Sequence, residues 1–132
     1  MNESRMISGV DFVTVPAPKF ADAVDFYGNV LGLPCSKRYR HDVGVEFETG
    51  NLTLQLLDIG KLCLALEPST NPIALHVDDF EAAHKQLAAR GVSFDGEVLD
   101  SGVCWQAFFK DPNGNTLAIH HRYAPPDAMP GD

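Results

Sequence analysis

The chain has 132 residues, enough for one core that buries roughly two-thirds of the surface its unfolded form exposes, and too few for several domains. With 45% hydrophobic and 21% charged residues it is neither disordered nor fibrous, and no apolar run approaches the roughly 18 residues needed to cross a bilayer. Eighteen acidic residues against ten basic ones give a net charge of −8, which repels nucleic acid and anionic membranes and favours either a cationic small molecule or simply a well-solvated surface.

The opening stretch, Met1 to Val10, lacks the basic start, apolar centre and small-residue cleavage site of a secretory leader, so the expected location is the cytoplasm. From there the sequence repeats at an offset of 60: Phe12-Val13-Thr14-Val15-Pro16-Ala17 lies over Pro72-Ile73-Ala74-Leu75-His76-Val77, and Phe20 and Ala23 lie over Phe80 and Ala83. Alternating polarity makes each of these segments a half-buried strand. A helix follows in each copy. The first is carried by Phe20, Ala23, Val24, Tyr27, Val30 and Leu31 and stopped by Gly32 and Pro34. The second is carried by Phe80, Ala83, Leu87 and Ala88, opened by a capping box of Asp78 and Glu81, and stopped by Gly91.

Three short strands are predicted after each helix, at about 33–40, 43–48 and 51–58, then at about 92–99, 103–110 and 115–121. The turns carry Asp42-Val43-Gly44, Gly50-Asn51 and Asp111-Pro112-Asn113-Gly114-Asn115, residue types that tight turns require. Each half is therefore a βαβββ module, at about 7–66 and 71–122, within one α+β domain spanning 1–132. A further short strand over Lys61–Leu66 and a loose tail over 124–132 complete the reading.

Strand parity sorts the side chains into two faces. Val13, Val15, Ala17, Leu52, Leu54, Leu56, Ile73, Leu75, Val77, Trp105, Ala107, Phe109, Leu117 and Ile119 share the face assigned to the core under the helices. The opposite face is mixed, and its Phe12, Thr14, Glu48, Gln55, His76, Gln106, Phe108 and His120 are the candidate ligand-binding residues, because small-molecule sites combine apolar walls with a few orienting polar groups. Tyr39 adds to the aromatic wall. Lys37-Arg38-Tyr39-Arg40 reads either as a solvated edge strand or as a rim for an anionic group. Cys35, Cys63 and Cys104 form no C-x-x-C pair and read as small buried hydrophobes. His84 falls at a helix boundary, and His120 and His121, as strand neighbours, point to opposite faces.

Four segments in this order resemble the vicinal oxygen chelate superfamily of glyoxalases, bleomycin-resistance proteins and extradiol dioxygenases: Val10-Asp11-Phe12-Val13-Thr14-Val15, Phe26-Tyr27 with Leu31-Gly32-Leu33, His76-Val77-Asp78-Asp79-Phe80, and Asp111-Pro112-Asn113-Gly114-Asn115. The resemblance implies tandem βαβββ modules forming a curved, partly open mixed β-barrel with helices on its outer face, in a homodimer. In metal-dependent members it also implies a cation held by the first and last strands of each module. Those positions fall here on Phe12, Pro72, Gln55 and Ala118, of which three have no donor atom and one is a neutral amide. No metal and no cofactor is therefore expected. Three functions remain open: a metal-independent protein sequestering an amphipathic, planar or cationic ligand; an enzyme using His76 and His120 as catalytic residues or, with Gln55 or Glu48, as a shifted metal site; or a module with a filled cavity.

Overall fold

A computed structural model describes residues 6–131; the start of the opening stretch, residues 1–5, and the last residue of the tail lie outside it. The elements run β1 (Phe12–Pro16), α1 (Phe20–Asp25), β2 (Cys35–Arg38), β3 (Gly44–Glu48), β4 (Thr53–Leu57), β5 (Ile73–His76), α2 (Phe80–Ala89), β6 (Phe94–Asp100), β7 (Cys104–Lys110) and β8 (Thr116–Arg122). Each module is the predicted βαβββ unit. The strands form two mixed sheets in the orders β1-β4-β3-β2 and β5-β8-β7-β6, with β1 parallel to β4 and β5 parallel to β8. Among the described residues no strand pairing joins the sheets, so they do not close into a barrel.

The alternating pattern of β4, half-buried Thr53, Gln55 and Leu57 against buried Leu54 and Leu56, shows why one sheet face meets the core and the other does not. One hydrophobic cluster serves both modules. It joins Val15, Tyr27, Phe47, Leu54 and Leu56 of the first to Phe80, Leu87, Phe109, Leu117 and Ile119 of the second, with Val13, Ile73, Leu75 and Val77 packed against it. Both helices therefore lie toward the shared core.

Several local expectations are corrected. Trp105 has core-side parity and contacts Phe80, but it sits near the open end of β7, keeps 36% of its surface exposed and packs on Tyr123. After Asp25 the first helix widens into a π-helical turn over Phe26–Val30, which carries Tyr27 into the core. The cap of α2 is Asp79, whose carboxylate accepts from the Ala82 N–H at 3.0 Å, while Asp78 turns to His76 and Glu81 pairs with Lys85. Residues 61–66 form no strand, because their backbone turns on Asp58 and Ile59 instead of pairing with a neighbour. Cys35 and Cys63 are exposed, on an edge strand and a turn, and Cys104 is half-buried at the start of β7. The tail folds back: Arg122 Nη2 donates to the Pro125 and Ala128 carbonyls, both at 2.6 Å, and the Gly131 N–H donates to Ser101.

The modules are locked by the turn between β7 and β8. Asp111 and Asn115 are buried. The Asp111 carboxylate accepts from the Tyr27 hydroxyl at 2.7 Å, from the Asn115 side-chain amide and from the Asn113 and Asn115 N–H groups. Asn115 also donates to the Pro16 carbonyl and accepts from the Ser69 N–H, both at 2.9 Å. Nearby, Asn113 Oδ1 accepts from the Lys19 N–H at 2.6 Å. Burial, and next the Asp111 charge, push the Tyr27 phenol far above its ordinary range, so it stays protonated and donates.

Replacing Tyr27→Phe leaves a buried carboxylate short of one donor and should cost about 1–3 kcal/mol in urea unfolding at neutral pH. A phenol pKa raised in the folded state gives a contribution that is whole below about pH 10 and lost as pH climbs above it, since only the unfolded chain then releases the proton. The wild-type chain should therefore lose stability more steeply than Tyr27→Phe between pH 9.5 and 11.

Candidate functional site

The uncovered face of the first sheet carries two rows of polar side chains fixed by strand register. In one row, Thr14 of β1 lies beside Gln55 of β4, which lies beside Glu46 of β3. The Thr14 hydroxyl donates to Gln55 Oε1 at 2.8 Å, Gln55 Nε2 donates to the Tyr39 hydroxyl at 2.9 Å, and Tyr39 donates to Glu46. In the other row, Phe12 lies beside Thr53, which lies beside Glu48. There the Thr53 hydroxyl donates to Glu48 Oε1 at 2.6 Å, and Ser36 donates to the other oxygen.

Both carboxylates are thus held by neutral hydroxyls, and among the described residues neither forms an ion pair with Lys, Arg or His. The Ser36 hydroxyl first, then that of Thr53, holds the Glu48 carboxyl below its usual range, so this face keeps its negative charge. Burial, and next its bond to Glu46, raises the Tyr39 phenol, which therefore remains a donor. Phe12 stands at the edge with 46% of its surface open, an aromatic ring beside the acidic rows.

Tyr39 reaches this position because β2 ends before it and the chain turns over Arg40–Asp42, with His41 and Asp42 at φ of 62° and 50°. Its ring then lies across Gly44, where an added Cβ would come within 2.3 Å of the ring carbon Cδ2. From sequence alone Tyr39 belongs only to an aromatic wall, and nothing in the local pattern marks Ser36 and Thr53 as partners of Glu48. Gly44, an unadorned residue at the start of a strand, is the signal that something crosses there.

On the second sheet, Ala74, Ala118 and Phe108 form one row and His76, His120 and Gln106 the next. His120 is half-buried and has no side-chain partner among the described residues. His76 is exposed, its Nε2 lies 2.8 Å from Asp78 Oδ1, and its ring is 6.2 Å from that of His121. His121, on the other face, places Nδ1 at 2.9 Å from the Val77 carbonyl, and His84 stacks on Phe94 at 4.0 Å.

The eight candidate residues are thus brought together as two groups of four. Phe12, Thr14, Glu48 and Gln55 share one sheet; His76, Gln106, Phe108 and His120 share the other. Among the described residues no hydrogen bond or ring contact links the groups. His76 and His120 are consequently not joined to Gln55 or Glu48, and no three His, Cys, Asp or Glu side chains among the described residues gather closely enough to hold a metal ion.

A family model described as the Glyoxalase/Bleomycin resistance protein/Dioxygenase superfamily matches residues 9–119. The chain belongs to this superfamily. Solved structures of similar fold include TnmS3, an antibiotic binding protein from Streptomyces sp. CB03234, with a TM-score of 0.75 at 26% identity over 89% of this chain and 98% of that one. A glyoxalase/bleomycin resistance protein from the same Streptomyces strain has a TM-score of 0.69 at 24% identity, over 86% of this chain and 100% of that one. Lactoylglutathione lyase from Agrobacterium tumefaciens has a TM-score of 0.73 at 18% identity, over 86% and 93% respectively. No curated protein sequence matches the chain.

The positions at which the resemblance implies metal ligands, Phe12, Pro72, Gln55 and Ala118, carry residues that do not fit a metal. Three lack a donor atom, and the Gln55 oxygen already accepts from Thr14 while its nitrogen is spent on Tyr39.

Substituting Gly44→Ala should force the Tyr39 ring off the sheet and free Gln55, at a cost of about 1–3 kcal/mol. Loss of the nuclear Overhauser contacts between the Tyr39 ring and Leu57, with a lowered urea midpoint, is the expected result.

Proposed function

We propose that this chain is a metal-independent small-molecule-binding protein that sequesters or carries an amphipathic ligand with a planar or cationic group on its uncovered sheet faces. The single observation that carries this reading is the state of the first sheet. Its superfamily ligand positions are filled by a phenyl ring and an amide already engaged, and beside them stand two glutamates held by neutral hydroxyls and forming no ion pair among the described residues. A π-face next to unpaired carboxylates is the arrangement that attracts an organic cation. Family membership and the antibiotic-binding relative support a small-molecule role, and the net charge of −8 favours the same sign of ligand.

A homodimer in the cytoplasm is part of the proposal. The first sheet ends on β1, whose outer edge is unpaired among the described residues, and exposed Ile7, Val10 and Phe12 lead into it. A second copy docked on that edge would cover this apolar surface and turn a shallow face into an enclosed cavity. A second reading rests on His120, an imidazole on the uncovered face with no side-chain partner among the described residues, able to serve as general base for a bound substrate, with His76 as the other candidate catalytic group.

Planar aromatic cations at about one hundred times their Kd should stabilise the protein by about 2.7 kcal/mol, seen as a rise in Tm. Phe12→Ala should weaken that binding about tenfold, in line with the roughly 0.5–2 kcal/mol of a cation on an aromatic face. Dialysis against a chelator should leave the titration unchanged, and light scattering should give twice the chain mass. A titration that requires an added divalent ion, or turnover abolished by His120→Ala with binding intact, would replace this reading with a catalytic one.

A further inference from the structure

We infer that the cleft between the two modules, along the edge strand β5, is a separate small-molecule site and that it takes a free aliphatic carboxylate. The cleft encloses about 600 Å³, within the roughly 300–1,000 Å³ of small-molecule sites. It lies between the end of the first helical segment, the turn joining β3 to β4, strand β5 and helix α2, away from the polar rows of the first sheet. Its walls are hydrocarbon, led by Leu31, Leu33, Leu52 and Leu75.

Charge decides what such a cleft prefers. In a chain with eighteen acidic and ten basic residues, none of the described residues lining the cleft is Asp or Glu. Its polar groups are Thr49 and Asn51 from the turn, His76 from β5, and Gln86 and Arg90 from α2. His76 is occupied by Asp78. Arg90 has no carboxylate partner among the described residues. Its Nη1 donates to the Val30 carbonyl at 2.8 Å, which anchors the guanidinium beside Leu31 and leaves its other donors without a partner among the described residues. A fixed guanidinium next to a hydrocarbon cleft suits a carboxylate head with an alkyl chain, because the charge-assisted bond forms with little further ordering. The surrounding acidic surface repels anions generally, so a local reversal of sign confers selectivity. This site does not depend on the reading of the sheet faces and takes ligands of the opposite charge.

The test is a ¹⁵N–¹H NMR titration of the full chain with sodium decanoate, using decylammonium as the charge-reversed probe. Decanoate should give saturable shifts at Leu31–Leu33, Thr49–Leu52 and Gln86–Arg90, and decylammonium should bind at least tenfold more weakly. Arg90→Gln should weaken decanoate at least tenfold. Gln86→Glu, a near-isosteric change at an exposed helix position, should do so without touching the Val30 contact, and Asn51→Trp should block entry from the turn. Equal binding of both probes, shifts confined to Thr14, Gln55, Gln106 and His120, or no saturable shift would each overturn the proposal. So would a second copy covering the cleft, seen as concentration-dependent shifts of the same amides that decanoate does not displace.

Discussion

The buried Asp111 carboxylate is the constraint on which the arrangement of the two modules depends. A charge taken out of water has to be matched by donors held in place, and here those donors come from both modules. The Tyr27 hydroxyl reaches it from the first, and the Asn115 amide and the turn's own N–H groups reach it from the second. Asn115 meanwhile binds the carbonyl at the end of β1, and Asn113 meets Lys19 just ahead of α1. One five-residue turn of the second repeat is thereby bonded into the first, and the shared hydrophobic cluster closes around it.

That closure determines where ligands can sit. Both helix-covered faces turn toward the common core, so the uncovered faces of the two sheets turn away from it, and no strand pairing among the described residues joins them. The halves have diverged. The first sheet carries a hydrogen-bonded polar floor in which hydroxyls hold two carboxylates in place, whereas the second has an apolar row of Ala74, Ala118 and Phe108 beside a row of imidazoles and an amide. The repeat preserved the backbone while side chains at matching positions changed chemical class, which is how one scaffold hosts unrelated functions.

The proposed sites also differ in sign for a physical reason. On the first sheet the acids are satisfied by neutral donors, which orient them without cancelling their charge. At the cleft between modules the acids are absent among the described lining residues, and the guanidinium of Arg90 is oriented by a backbone carbonyl that likewise leaves its charge intact. In both places a neutral hydrogen bond fixes the geometry of a charged group while its field stays available to a ligand.

The sequence by itself determined the local part of this protein: two βαβββ repeats, the face on which each strand residue falls, and the absence of donors at Phe12, Pro72 and Ala118. These follow from period-two and period-3.6 patterns and from side-chain chemistry, which are properties of neighbours along the chain. Trp105 shows the limit even there, since parity chose its side but could not show that the core ends before it. The tertiary structure alone decided which surfaces meet: that Tyr27 and Asp111, distant in sequence, bond to each other, that Tyr39 folds over Gly44 onto Gln55, and that the eight candidate residues divide between two sheets. Long-range partners of this kind are selected by burial and by the need to satisfy every buried polar atom, and no local pattern records that choice.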